Sequence, residues 1–319
     1  MGASVAIRVG GPNSGHTVIG PDGQPIIFRQ LPTASILPNV VCVIPSGAYV
    51  QPDLLLDEIR IAGLNPERLL IDPNAVIITD KELAAERSSG LGSSIGSTQS
   101  GTGAAVLARI RRSSEVRFAR DVDSVRPYVQ PATAFLRDRL ERNERVLIEG
   151  TQGFGLSLLH TPDYPFATSR DTTAAGFVAE AGLSPLDIDD VVMVIRTFPI
   201  RVPGNSGPLP NETSWAEITK DSNSSIAVSE FTSVTKKERR VAKFDSEIVR
   251  GAIIYNQPTR IILNHVDYID AGCRQIGSLT PKAVLFVNST EKVIGKTIDY
   301  VGFNSSDINL FTKLRRQNM

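Results

Sequence analysis

Hydrophobic residues along this chain form short apolar runs that alternate with longer segments of helical periodicity. The periodicity predicts a helix over Pro52–Ala62, with proline in the first turn and Gly63 as a stop, and further helices over 80–87 and 131–143. The apolar runs predict strands at residues 4–9, 40–44, 69–71, 75–78, 146–149, 190–198, 260–264 and 298–303. This alternation predicts an α/β fold with a mainly parallel central sheet and helices on both faces, which we expect to form one domain over residues 1–319.

The stretch after Glu149 is the first candidate for a ligand-binding loop. It reads G-T-Q-G-F-G-L-S and would lie beyond the carboxyl end of a buried strand, where open α/β sheets bind ligands. Gln152 offers an amide, Thr168 and Ser169 offer hydroxyls, and Asp171 is predicted to cap the helix that begins T-T-A-A-G. A glycine-rich connection that binds nothing fits the same pattern, so both interpretations stay open.

A second polar loop, residues 10–17, follows the first predicted strand and reads G-G-P-N-S-G-H-T. Its glycines and hydroxyls are typical of a phosphate-binding loop, and His16 would donate to a phosphoryl or purine oxygen. Alternatively, His16 only caps the next strand. Pro21-Asp22-Gly23 predicts a hairpin turn between strands 17–19 and 25–29.

Two further segments combine hydroxyls with positive charge. Residues 88–103 are rich in glycine and serine and lead into a helix that ends in arginines, so they form either a linker or an oxyanion site at a helix N-terminus. Residues 231–240, F-T-S-V-T-K-K-E-R-R, suit carboxylate or phosphate capture, although a solvated loop has the same composition.

Composition narrows the functional class. Lysine plus arginine and aspartate plus glutamate both number 34, so no overall field favours nucleic acid or a membrane surface, and we expect neither as a partner. Two cysteines predict a reducing compartment, and the N-terminus lacks the pattern of a signal peptide. We therefore expect a cytoplasmic protein.

Five motifs, taken in order, resemble those of the adenylosuccinate synthetase family, most closely its short archaeal type: G-P-N-S-G-H-T, I-G-S-T-Q-S-G-T-G, E-G-T-Q-G-F-G-L-S-L, Y-P-F-A-T-S-R-D-T-T-A-A-G and G-P-L-P-N-E. The resemblance covers essentially the whole chain. It implies a ligase that joins inosine monophosphate (IMP) to L-aspartate in AMP biosynthesis, with GTP and Mg²⁺, through a 6-phosphoryl intermediate. It also implies a homodimer.

The resemblance assigns roles to particular residues. His16 matches the catalytic acid, Gln152 matches the contact to the purine and phosphoryl region, and the carbonyl of Gly15 matches a magnesium ligand. Asp267 matches the carboxylate that accepts from guanine N1 and N2. The residues implied to bind the substrates are Asn13, Gly15, Thr98, Arg112, Thr168, Thr235, Lys237 and Arg239, with Arg112 supplied across the dimer, and those implied to bind the nucleotide cofactor are Thr17, Asp267 and Ser305.

Two departures from the family qualify these expectations. The family's opening strand and G-D-E-G-K-G phosphate loop, which carries the catalytic base, are not in this sequence, a difference of about 30 residues by usual element lengths. We therefore expect this chain to be a poor synthetase as it stands. A start codon placed too far downstream, or a shortened chain, is the favoured explanation. The others are a homologue retained for binding or assembly, and a base supplied from elsewhere.

The second departure lies in the aspartate loop. Lys237 and Glu238 stand where the family has arginines, which puts the amino-acid partner in doubt and allows a relative that acts on deoxyguanylate.

Overall fold

The computed structural model describes residues 2–233, 236–304 and 307–311, and the chain divides into two compact units, Met1–Ile188 and Asp189–Met319. Each unit is an α/β assembly, so the predicted fold class is confirmed. The single-domain organisation stays a prediction.

The first unit is built on a four-stranded parallel sheet in the order β6-β4-β1-β8. Its strands are β1 Val5–Arg8, β2 His16–Ile19, β3 Pro25–Phe28, β4 Val41–Ile44, β5 Tyr49–Val50, β6 Leu69–Ile71, β7 Val76–Ile77 and β8 Val146–Glu149. Its helices are α1 Pro52–Ala62, α2 Asp80–Ser88, α3 Leu91–Ile95, α4 Thr102–Ile110, α5 Ala132–Glu141 and α6 Ala174–Ala181.

Helices cover both faces of this sheet. Successive residues of a strand point to opposite faces, and Cys42 and Ile44 accordingly pack with α1 in one core cluster, whereas Val43 packs with α5 and α6 in another. Because every pairing in this sheet is parallel, the carboxyl ends of β1 and β8 lie at the same edge. The loops that follow these two strands therefore leave the sheet side by side.

The second unit contains a four-stranded sheet in the order β15-β14-β13-β9, parallel except for the pair β14–β15, and a three-stranded antiparallel sheet in the order β10-β12-β11. Its strands are β9 Val192–Arg196, β10 Ile200–Arg201, β11 Glu212–Thr213, β12 Arg240–Ala242, β13 Arg260–Asn264, β14 Tyr300–Val301 and β15 Asn309–Leu310. Its helices are α7 Trp215–Asp221, α8 Ser246–Asn256, α9 Gly272–Ile276 and α10 Pro281–Ile294.

Most predicted elements appear within one or two residues of their expected bounds, and the predicted hairpin is β2–β3. One helix cap was wrong: Thr173, not Asp171, caps α6, because the Thr173 hydroxyl accepts from the amide of Gly176 while Asp171 accepts from Thr173. The segment proposed as a possible linker contains α3 and leads directly into α4. Among the described residues, no helix has the length and apolar character needed to cross a bilayer.

Candidate active site

The centre of the site in the first unit is an ion pair between Arg8 and Glu149. The two residues are register partners at the carboxyl ends of β1 and β8, and Nη1 of Arg8 lies 2.6 Å from Oε1 of Glu149. Side-chain exposure is 2% for Arg8 and 14% for Glu149. Buried charges are costly unless they are paired. This ion pair therefore fixes the start of the two loops that follow β1 and β8.

His16 joins this pair from the first residue of β2. Its Nδ1 lies 2.5 Å from Oε1 of Glu149 and also contacts Nη1 of Arg8. The other carboxylate oxygen of Glu149 accepts from the amide and the hydroxyl of Thr33, at 2.8 Å and 2.7 Å. Both oxygens of Glu149 are therefore occupied.

These contacts determine the charge of Glu149. Burial by itself raises the pKa of Glu149, but the hydrogen bond from His16, the charge of Arg8 and the hydroxyl of Thr33 outweigh it and lower that pKa to about 2. Burial lowers the pKa of His16, and the hydrogen bond to Glu149 opposes that effect. Glu149 is thus an anion and His16 is neutral near pH 7.

The loops after β1 and β8 are joined by a bond between Asn13 and Thr168, whose Nδ2 and Oγ1 atoms lie 3.3 Å apart. Gln152, three residues beyond Glu149, has a φ of 67° in the left-handed region, which is costly for a residue with a side chain. Within the described residues, Oδ1 of Asn13 and Oε1 of Gln152 are buried without a hydrogen-bond partner. Unsatisfied buried acceptors are rare, so these two amides are suited to accept hydrogen bonds from a ligand or from water.

Two glycines allow the backbone at this edge to pack closely. A Cβ on Gly10, where φ is +97°, would lie 2.6 Å from Nη2 of Arg170, and a Cβ on Gly150 would lie 2.2 Å from the ring of Phe177. Arg170 is 5% exposed and also pairs with Glu180. No larger residue fits these positions without displacing a side chain.

The loop with Thr98 reaches the same region through a series of hydroxyls. Thr98 Oγ1 lies 3.4 Å from Oγ of Ser100, which lies 3.0 Å from Oγ1 of Thr102, and a Cβ on Gly11 would lie 2.7 Å from that Thr102 oxygen. Thr98 is therefore linked to the loop after β1.

Three predicted residues of the first unit are less closely tied to this cluster. Arg112 is exposed beyond the end of α4, with a left-handed φ of 54°, and the structure does not bring it to the other residues. Thr17 is exposed on β2. Gly15, which lies one residue before that strand begins, is half-buried.

In the second unit, Asp267 follows β13 and is 6% exposed. Its Oδ2 accepts from Nη2 of Arg274 at 2.8 Å, whereas its Oδ1 has no hydrogen-bond partner among the described residues. Burial raises the pKa of Asp267 to about 6, and it lowers that of His265 to about 4. Asp267 is thus a buried carboxylate with one oxygen available to a donor.

The predicted aspartate loop lies in the same unit. Thr232 and Lys237 exchange hydrogen bonds, since the amide of Thr232 donates to the carbonyl of Lys237 at 2.8 Å and the amide of Lys237 donates to the Thr232 hydroxyl at 3.0 Å. The Lys237 side chain is exposed, and Arg239 is half-buried. Thr235 and Ser305 lie outside the described residues.

Arg8, Glu149 and Thr33 were not predicted as functional residues. A charged residue inside the apolar run V-A-I-R-V signals a buried partner, and this pattern could have identified Arg8. Glu149 at the end of a strand carries the same signal. Nothing in the sequence marks Thr33.

The first unit defines an α/β protein with a built polar site at the carboxyl edge of its sheet, the place where open sheets of this kind bind nucleotides and other small ligands. A family model for adenylosuccinate synthetase matches residues 2–123 and 115–277. The chain is 36% identical over 306 residues to an adenylosuccinate synthetase of Methanocaldococcus jannaschii, covering 93% of this chain and 85% of the relative. It is 31% identical over 313 residues to one of Archaeoglobus fulgidus, covering 97% and 89%. This chain belongs to the adenylosuccinate synthetase family.

Solved structures agree with this assignment. A cyanophage S-2L succinoaminodeoxyadenylate synthetase (PurZ), bound to dGMP and to dATP as an energy donor, superposes with a TM-score of 0.80 at 28% identity, covering 100% of this chain and 92% of that one. A fully ligated adenylosuccinate synthetase from Plasmodium falciparum has a TM-score of 0.83 at 18% identity, covering 97% and 93%, and supports the fold.

Proposed function

We propose that this protein is a purine nucleotide ligase that joins IMP and L-aspartate at the expense of GTP. One observation carries the proposal: in a member of this family, Asn13, His16, Gln152 and Thr168 all lie in the two segments that follow the adjacent strands β1 and β8. Among the residues that the structure describes, two of these side chains hold buried acceptors without a partner, as a polar ligand requires.

The reaction has two steps. In the first, the O6–phosphorus bond forms, the bond from the γ-phosphorus to the bridging oxygen breaks, GDP leaves, and the proton of purine N1 passes to a base, which the family carries on its G-D-E-G-K-G loop. In the second, the aspartate amine attacks C6, the C6–O6 bond breaks and phosphate leaves, and the amine nitrogen loses a proton. Electrostatic stabilisation of the charge on O6 and on the leaving phosphate is the protein's main task.

The described residues suit these tasks. His16 steadies the charge on O6, Gln152 contacts the purine and phosphoryl region, and Asn13 and Thr168 bind the phosphate of the monophosphate. In the second unit, Asp267 accepts from guanine, and Lys237 with Arg239 binds the amino acid. The residues of that G-D-E-G-K-G loop are not among those of this sequence.

Magnesium, the dimer and the cellular location complete the proposal. Among the described residues, no group of three or more His, Cys, Asp or Glu side chains is placed to hold a metal ion. Mg²⁺ often takes its ligands from substrate phosphates and water, so the Gly15 carbonyl would add one oxygen to an ion that arrives with the nucleotide. The exposure of Arg112 is consistent with a role across a homodimer, and the unpaired Cys42 and Cys273 fit a cytoplasmic location.

The test is to incubate the protein with IMP, GTP, Mg²⁺ and aspartate and to measure adenylosuccinate by mass spectrometry. The same assay is run on a form extended upstream in its gene. Product from either form supports the proposal, and product from neither rejects it. Calorimetry that detects IMP binding but no GTP binding in such inactive forms would identify a nucleotide-binding protein without ligase activity.

A second candidate is a ligase that acts on deoxyguanylate. The similarity to the cyanophage enzyme bound to dGMP and dATP favours it, together with Lys237 and Glu238 in place of arginines. An activity assay that combines each monophosphate, IMP or dGMP, with each energy donor, GTP or dATP, separates the two candidate activities. Product only with dGMP would replace the first candidate by the second.

A further inference from the structure

His16 uses only one of its ring nitrogens within the described part of the chain. Both of its side-chain contacts, to Glu149 and to Arg8, are made by Nδ1. The side chain is 25% exposed. Nε2 is therefore the nitrogen that a ligand can reach. Whether Nε2 donates or accepts a hydrogen bond depends on whether Nδ1 carries the ring proton.

The two contacts of Nδ1 have opposite requirements, because Oε1 of Glu149 can only accept a hydrogen bond and Nη1 of Arg8 can only donate one. A carboxylate can only accept, so an unprotonated Nδ1 at 2.5 Å from Oε1 of Glu149 would place two acceptors together. Arg8 already has other acceptors, since Nη1 donates to Oε1 of Glu149 at 2.6 Å and Nη2 donates to the carbonyl of Ser14 at 3.1 Å. The proton of Nδ1 has Glu149 as its acceptor.

We propose that Glu149 is a positioning residue: it accepts the Nδ1 proton of His16, fixes the orientation of the ring, and leaves Nε2 as the nitrogen open to a ligand. The effect on the reaction rests on the proposed function, and the orientation of the ring does not. Carboxylate–histidine pairs fix tautomers in this way in other kinds of site.

Glu149 is itself held rigidly enough for this role. Arg8 holds Oε1 and Thr33 holds Oε2 through two bonds, so the carboxylate cannot rotate away from the ring.

The test uses long-range ¹H–¹⁵N NMR of the histidine rings, which requires neither substrate nor activity. The chain has three histidines, and His16→Gln assigns the signal of interest. In the wild type we expect the neutral ring to carry its proton on Nδ1. An Nε2–H tautomer in the wild type would overturn the proposal, even if no variant could be purified.

The variant test compares Glu149→Gln with Glu180→Gln, which removes a buried carboxylate from a different arginine, Arg170. We expect Glu149→Gln to change the tautomer of His16, because the new amide group can donate a hydrogen bond to Nδ1. Glu180→Gln should leave that tautomer unchanged. Equal His16 spectra in the wild type and Glu149→Gln, or equal shifts in both variants, contradict the role of Glu149.

Activity provides the second readout in whichever form makes adenylosuccinate. For Glu149→Gln we expect kcat to fall at least tenfold with a smaller change in KM for IMP. If no form is active, the proposed function fails while the NMR result still decides the role of Glu149. An unchanged kcat together with an unchanged tautomer in Glu149→Gln would refute the inference alone.

Discussion

Asn13 and Thr168 are 155 positions apart in the chain and are joined by a hydrogen bond of 3.3 Å between Nδ2 and Oγ1. Asn13 follows β1 and Thr168 lies in the long segment after β8, so the bond depends on the parallel pairing of those two strands. The contact ties together two of the residues proposed to bind the phosphate of IMP.

The first prediction concerns this pair. Asn13→Ala and Thr168→Val should each weaken IMP binding, measured by calorimetry, by about 1 kcal/mol, the usual net value of one hydrogen bond. Because the two residues contact each other, the double variant should lose less than the sum of the single losses. Strictly additive losses would show that the two side chains act on the ligand independently.

The second prediction concerns Gly150. Alanine there would place its Cβ 2.2 Å from the ring of Phe177, so Gly150→Ala should destabilise the protein by about 1–3 kcal/mol, the usual cost of overpacking. Thermal unfolding followed by circular dichroism measures this. Adding Phe177→Leu should recover part of the loss, because it removes the atoms in contact. A double variant that is less stable than the two single effects combined would contradict the contact.

The third prediction is an acid dependence that arises from Glu149. Its pKa is lowered to about 2 in the folded protein against an ordinary 4.5, so the folded state holds this proton less tightly than the unfolded state. The stabilisation is complete above about pH 4.5 and is lost as the pH falls through about 2. Glu149→Gln should cost about 3 kcal/mol at pH 7, because it leaves Arg8 buried without its partner.

Urea unfolding of the wild type and of Glu149→Gln between pH 7 and pH 3 tests this acid dependence. Circular dichroism should be used, because the sole tryptophan, Trp215, reports on the second unit only. The difference between the two proteins should narrow below pH 4.5. A constant difference across this range would exclude the assigned pKa shift.

The fourth prediction concerns Asp267. Its pKa is raised to about 6, and only the ionised carboxylate accepts both donors of guanine, so GTP affinity should fall up to about tenfold per pH unit below pH 6. Asp267→Asn should bind GTP weakly at every pH, and Asp270→Asn serves as a control for loss of a nearby carboxylate. Wild-type affinity that stays constant from pH 7 to pH 5 would argue against this assignment.

Folding has the opposite pH dependence at Asp267. A raised carboxyl pKa means that the folded state holds the proton more tightly than the unfolded state. The resulting contribution to stability is present below the ordinary value of 3.8 and is lost as the pH rises through about 6.

The sequence alone determined the local structure and the family. Apolar runs with β-branched residues specify strands, and the proline and glycine at the two ends of α1 fix its bounds, because these signals act over a few residues. The order of the five motifs likewise specified the family to which the chain belongs. Where a local signal had two possible partners, as at Asp171 and Thr173, the choice of helix cap was wrong.

Only the tertiary structure decided which polar groups meet. Glu149 ends a strand 133 positions after His16, and no local pattern reports that β1 and β8 are neighbours whose register places Arg8 beside Glu149. Pairing between distant strands is set by packing of the whole sheet, and burial then decides the charge of each group. The same sequence signals therefore identified His16 as a candidate but could not identify the carboxylate that holds it.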